Sequence, residues 1–169
     1  MYTFTLKPVS LEEREILANL LEKYLYEFSQ YTEVDVNPLG LYGYMYLDYT
    51  WTQSNRWAYF IMIDDALAGF VMVNDYPEAF DRITDFSLSE FFILHKYRRN
   101  RVGTSVFETL CSLHKGSWQL KCHPKNIPSV KFWEKVISTY TLNNYEKVVD
   151  YPNSHYEDGS LGTLFFFES

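Results

Sequence analysis

Residues 91–104, Phe-Phe-Ile-Leu-His-Lys-Tyr-Arg-Arg-Asn-Arg-Val-Gly-Thr, pass from an apolar strand-like run through a basic turn into a helix that opens at Gly103. Val106, Phe107, Leu110 and Leu113 then recur at helical spacing until Lys115-Gly116, a basic residue and a glycine that form a stop signal. Trp118 to Cys122 reads as the next strand. Strand, helix and strand in this order, over residues 86 to 122, predict a right-handed parallel crossover. The turn also has the chemistry of an anion site. The first amides of a helix lack intrahelical partners, and the macrodipole adds roughly half a positive charge there. Arg98, Arg99 and Arg101 supply forked donors, and Gly103 has no Cβ to hold a phosphate away. A basic surface turn capping an ordinary helix would read the same way, so both readings stand on this stretch alone.

The flanking elements alternate in type. A first strand is expected at about Tyr2 to Lys7. Ser10 with Glu13 three residues on is a capping-box pattern, followed by the stripe Ile16, Leu17, Leu20, Leu21, Tyr24 and Leu25 of a helix. After Asn37-Pro38-Leu39-Gly40 comes an aromatic segment, Tyr42, Tyr44, Tyr46, Tyr49 and Trp51, that fits either a short helix or a loop. Trp57–Ile63 and Leu67–Asn74 read as a hairpin across Asp64-Asp65, with Gly69 as a bulge. A third strand is expected at about Asp85 to Leu94. A helix from Asn126 to about Ile137, with Pro128 in its first turn, precedes strands at Tyr140–Val149 and Gly162–Phe167. The order β-α-α-β-β-β-α-β-α-β-β is that of a mixed α/β or α+β domain spanning residues 1–169.

With 47% apolar residues the chain is not disordered, and its longest uncharged apolar run, Ala66 to Val73, is too short for a span of about 20 residues. No membrane partner is expected. The N-terminus alternates like a strand and lacks the blocks of a signal peptide, which leads to a cytoplasmic expectation. Residues 1–90 carry fifteen acids and five bases, a net −10 within an overall −7, so the remaining half is net +3. An anionic cofactor by the basic turn and a cationic acceptor near the acidic half would fit that asymmetry. A nucleic-acid partner is disfavoured by the overall charge. Cys111 and Cys122 have no metal-ligand spacing and read as buried thiols. His95, His114, His123 and His155 read as surface or turn residues, and no metal site is expected.

Arg98, Arg101, Val102 and Gly103 fit the frame Gln/Arg-x-x-Gly-x-Gly/Ala, and Asn126-Ile127-Pro128-Ser129-Val130-Lys131-Phe132-Trp133 fits an Asn, small residue, Phe-Tyr pattern. On these two motifs, their spacing and the element order, the chain resembles the GNAT family of acyl-CoA N-acyltransferases. Glu90-Phe91-Phe92-Ile93-Leu94 is similar to the strand of its diamine and polyamine acetyltransferases, although Ser89 stands where those carry an acid. The segment around Tyr44, Tyr46, Leu47, Asp48 and Trp51 resembles a less characterised bacterial-type subgroup.

The resemblance implies a single GNAT-like domain: a mixed, mostly antiparallel sheet with flanking helices and a splayed central strand pair. Acetyl-CoA is the implied co-substrate and a primary amine of a small molecule or peptide the implied acceptor. A homodimer is also admitted. Phe92, Ile93 and Leu94 would pair with pantetheine, while Arg98, Arg99, Asn100, Arg101, Val102, Gly103 and Thr104 would cradle the pyrophosphate. Asn126, Ser129 and Phe132 would hold the reactive end. Glu90 is the first candidate base and Asp85 the second. Tyr44, Tyr46, Asp48 and Trp51 offer an acceptor pocket, or else part of the core. Two departures bear on the chemistry. Arg101 stands at the motif's first Gly, where a helical backbone would tolerate it, and that is the expected case. Trp133 stands at the usual Tyr, and an indole N–H is no acid at neutral pH. Hence a catalytically silent acyl-CoA-binding or sensing module is the alternative.

Overall fold

The computed structural model describes residues 3–169, so the expected strand start at Tyr2 lies outside the described residues. In chain order the elements are β1 (Phe4–Pro8), α1 (Arg14–Thr32), α2 (Tyr49–Thr52), β2 (Arg56–Ile63), β3 (Ala66–Asn74), β4 (Phe86–Ile93), α3 (Val102–Leu113), β5 (Ser117–Cys122), α4 (Ile127–Tyr140), β6 (Tyr145–Val148) and β7 (Thr163–Glu168). The strands form one seven-stranded sheet in the order β1-β2-β3-β4-β5-β7-β6. Every pairing is antiparallel except β4 with β5, the parallel pair that the strand-helix-strand unit predicts.

Local chemistry accounts for most of the boundaries. Glu13 Oε2 accepts the Ser10 N–H at 3.2 Å, closing the expected capping box over a single 3₁₀ turn before α1. Leu17, Leu20 and Leu21 of α1 pack on Phe60, Phe70, Met72 and Phe92, whereas Ile16 falls off the stripe and is exposed. Asp64 and Asp65 both take positive φ, 47° and 62°, as a two-residue hairpin turn requires. The aromatic segment resolves into turns and the single helical turn α2. Tyr140 belongs to α4 and not to the next strand. It packs edge-on against Phe107, and the chain reverses through Leu142 and Asn143, both at positive φ, before β6 begins at Tyr145.

The sheet separates two cores. Ile61, Val71, Leu88, Ile93, Trp118 and Leu120 pack under α3 and α4, while Ala58, Phe60, Phe70, Met72 and Phe92 pack under α1 and α2. The bulge expected at Gly69 sits one residue earlier, since Ile61 faces Gly69 and Met62 faces Leu67, which leaves Ala68 as the extra residue. Gly69 itself answers to a close approach. A Cβ there would lie 2.1 Å from the Phe92 carbonyl oxygen. Cys111 and Cys122 are both buried, and burial pushes each thiol up to about 12. His114 and His123 depart from the surface expectation. His114 is buried among Trp57, Phe86 and Trp118, and His123 is buried beside Tyr31 and Tyr156. Among the described residues no helix is long and apolar enough to cross a membrane.

Candidate active site

A second bulge decides which way the first candidate base points. Met72 faces Glu90 and Val73 faces Leu88, so Ser89 is the extra residue of β4, its Oγ donating to the Met72 carbonyl at 3.0 Å. Side chains alternate along a strand, and one inserted residue reverses their sides. Leu88 therefore packs under α3 and α4, while Glu90 emerges on the α1 side with Phe92. There the Tyr44 hydroxyl donates to Glu90 Oε1 at 2.9 Å, and the Tyr24 hydroxyl of α1 lies against the same carboxyl. Glu90 is half-buried as a residue. Desolvation of its carboxyl pushes the pKa from 4.5 up to about 7, against the opposing pull of the two tyrosine hydroxyls. Tyr44 is driven upward as well, by burial and then by the Glu90 charge.

Lys121 of β5 shares this side of the sheet. Its Nζ lies 2.9 Å from Glu78 and 4.5 Å from the centre of the Tyr156 ring. Just beyond β5, His123 Nδ1 accepts the Lys125 N–H at 3.2 Å, which leaves Nε2 as the protonated nitrogen facing Asp158 at 3.3 Å. Asp158 also accepts from Lys125 Nζ and from the Ser160 N–H and Oγ. These contacts, with Lys125 first, hold its carboxyl well below the usual range. They fasten the β6–β7 loop, which carries Tyr156, against the mouth of the site.

The four expected acceptor residues are not brought together. Tyr44 reaches Glu90, and Tyr46 stands behind it, exposed, at 5.9 Å between ring centres. Asp48 instead pairs with Arg14 at 2.6 Å on the surface, and Trp51 donates from Nε1 to the Val9 carbonyl at 3.1 Å, joining α2 to the chain just after β1. Asp85, the second candidate base, lies at the far end of β4. Its Oδ2 accepts both the N–H and the hydroxyl of Ser117 at 2.8 Å, and those bonds lower its pKa. Sequence reasoning missed Tyr24, Glu78, Lys121 and Tyr156. Tyr24 was hidden in an apolar stripe, and no local pattern distinguishes the other three.

The second half of the site is a gap. Among the described residues β4 and β5 pair only at Phe86–Trp118, Ser87–Gln119 and Leu88–Leu120, and beyond this β4 pairs with β3 alone. Leu94 N–H bonds to the Ala68 carbonyl at 2.8 Å, and the Phe92 carbonyl turns toward Gly69. By alternation, Phe91 and Ile93 present their main-chain groups to the gap. Of the expected trio Phe92, Ile93 and Leu94, then, Ile93 alone faces it, and Phe91 replaces the other two.

The basic turn differs in detail from the expectation. Arg101 takes the left-handed conformation, φ 60° and ψ 3°, and Arg99 has φ 65°, so the backbone at Arg101 is not helical. Two left-handed residues flank Asn100 and curl the chain ahead of α3, a turn of the kind that can gather amides into an anion-binding nest. Val102, Gly103 and Thr104 add the unpartnered amides of the first turn of α3. Arg99 and Arg101 are exposed and form no ion pair among the described residues, whereas Arg98 is held by Glu27 and the Ile93 carbonyl. A Cβ on Gly103 would lie 2.9 Å from Phe132 Cζ, so the glycine admits the α4 ring where a phosphate had been expected. Asn126 Oδ1 caps α4 by accepting the Ser129 N–H at 3.2 Å, and the Ser129 hydroxyl lies 4.0 Å from Cys122 Sγ. Trp133 is buried against Phe91, Phe107 and Phe132. A separate open cavity of about 510 Å³, lined by Arg82, Ser117 and Glu146 among others, lies at the opposite end of β5 and is not part of this site.

The profile of the Acetyltransferase (GNAT) family matches residues 17–137. No match to a curated protein is found. Among solved structures, a GNAT-family acetyltransferase from Streptococcus agalactiae superposes with a TM-score of 0.72 at 16% identity, covering 98% of this chain and 95% of that one. An acetyltransferase from Thermus thermophilus gives 0.68 at 13% identity with 100% of both chains covered. The PaiA N-acetyltransferase of Thermoplasma acidophilum, solved in complex with coenzyme A, gives 0.61 at 12% identity with 99% of both covered. At these identities the likeness is one of fold.

Proposed function

The chain belongs to the GNAT acetyltransferase family, and from that premise we propose that it transfers an acetyl group from acetyl-CoA to a primary amine of a small molecule or peptide. The observation that carries this reading is Glu90: a carboxyl with its pKa pushed to about 7, gripped by Tyr44, on the strand that borders the gap. A thioester supplies an acyl carbon already activated for attack. What remains for the protein is to place the amine and remove its proton. Main-chain groups of Phe91 and Ile93 would hold the pantetheine arm. The nest from Arg99 to Thr104, with the free guanidiniums of Arg99 and Arg101, would hold the pyrophosphate, and Asn126, Ser129 and Phe132 would flank the reactive end.

On the other side of the sheet the aromatic faces of Tyr24, Tyr44 and Tyr156 and the acids Glu78 and Glu90 suit a cationic amine. At or above neutral pH Glu90 is ionised enough to take the proton that the ammonium must lose. The two tyrosine hydroxyls steady that carboxylate, which becomes the neutral acid when it takes the proton. The test is release of free thiol from acetyl-CoA against a panel of amines, with product mass confirming acetylation. Binding of acetyl-CoA with no turnover of any amine would favour the silent module. Burial of Trp133 in the α3–α4 core supports that second reading, since it leaves no acid at the position where the family usually carries tyrosine.

A further inference from the structure

Glu27 joins the acceptor side of the sheet to the basic turn. Its Oε1 lies 2.6 Å from His95 Nε2, and its Oε2 accepts from Arg98 Nη2 at 2.8 Å. The same guanidinium donates from Nε to the Ile93 carbonyl at 2.6 Å and lies 5.5 Å from the centre of the Phe92 ring. Glu27 stands one turn after Tyr24 on α1. That helix is therefore fastened to β4 at both ends of its reactive stretch, through Tyr24 at Glu90 and through Glu27 and Arg98 at Ile93.

A planar guanidinium has a fixed fork of donors, and while two of them serve Glu27 and Ile93 the group cannot swing out to a phosphate. A carbonyl oxygen has two lone pairs, so the bond from Arg98 leaves one for a ligand in the gap and fixes the direction of the Ile93 carbonyl. The carboxylate is what draws the arginine back to that task. We infer that Glu27 is a positioning residue for the acyl-CoA site: it holds Arg98 as a clip on the Ile93 carbonyl, so that Arg98 shapes the strand edge and does not bind the pyrophosphate. This rests on the acyl-CoA reading above.

Calorimetric binding of coenzyme A at low and high ionic strength tests it, on the wild type, Glu27→Ala, Arg98→Ala, the double variant and Arg99→Ala. Glu27→Ala and Arg98→Ala should each weaken binding about tenfold, the size expected for losing a charged hydrogen bond. The double variant should bind no more weakly than Arg98→Ala alone. The loss in both single variants should persist at high salt, whereas that of Arg99→Ala, an exposed phosphate contact, should shrink. In turnover, the KM for acetyl-CoA should rise while kcat at saturation stays within about twofold. Tighter or unchanged binding by Glu27→Ala, or additive losses in the double variant, overturns the inference. If alanine unfolds the chain, the isosteric Glu27→Gln replaces it, and wild-type affinity in that variant is equally fatal. Failure of the wild type to bind coenzyme A overturns the acyl-CoA reading and this inference with it, whereas binding by the wild type with no effect at Glu27 overturns the inference alone.

Discussion

The Tyr44 hydroxyl donates to Glu90 Oε1 at 2.9 Å across 46 residues of chain. The contact exists because the Ser89 bulge turns Glu90 away from the α3–α4 core and toward the aromatic segment.

Replacing Glu90 with Gln removes the base and keeps the shape. Turnover should fall about a hundredfold, and the acidic limb of the pH–rate profile, with its midpoint near 7 in the wild type, should disappear. Stability responds with the opposite sign to that of an ion-paired carboxylate. Between 4.5, the ordinary value, and about 7 the folded chain holds a proton that the unfolded chain has lost, so wild-type stability should decline as pH rises through that window and level off above it. Denaturant titrations across the window should show a flatter dependence in Glu90→Gln.

Tyr44→Phe removes one of the hydroxyls that pull Glu90 downward, so its pKa should climb further above about 7. The acidic limb of the rate profile should move to higher pH while activity at alkaline pH recovers. An unmoved limb would mean that Glu90 is not the group being titrated.

Gly103→Ala sets a Cβ 2.9 Å from Phe132 Cζ and 3.4 Å from Ile93 Cδ1. Overpacking of this kind costs about 1–3 kcal/mol, against a gain of about 1 kcal/mol in helix propensity. The melting temperature should drop, and adding Phe132→Leu should restore it. A variant that melts normally yet fails to bind coenzyme A would instead place a phosphate at Gly103.

At Arg101 the left-handed backbone predicts that Gly is tolerated better than Val, because a β-branched side chain is strained at φ 60°. Thermal unfolding should rank Gly above Val. Both should weaken coenzyme A binding in a salt-dependent way through loss of the guanidinium.

Asp85→Asn should leave turnover intact, since the carboxyl is tied to Ser117 at the opposite end of β4. Its bonds lower the folded pKa, so their contribution to stability is present above the ordinary value of 3.8 and is lost as pH falls through the folded value. The variant should melt below the wild type at neutral pH, and the difference should close in acid.

Most of the fold could be read from the chain because its signals are local. The capping box at Ser10 and Glu13, the Asp64-Asp65 turn, the stop at Lys115-Gly116 and the helix start at Asn126 with Pro128 each involve residues within a few positions of one another, where backbone sterics and short hydrogen bonds decide the outcome. The strand-turn-helix from Phe91 to Thr104 likewise specified both the parallel pair and the basic turn that opens α3. What required the tertiary structure was direction and partnership. Whether Glu90 faces a core or a pocket depends on one extra residue in the register of β4 against β3, and register is a property of two strands. Which arginine stays free depends on Glu27, 71 residues before Arg98, and Gly103 depends on a ring from α4. Sequence periodicity specifies which residues an element carries. The sheet and helices packed against it decide what those residues touch.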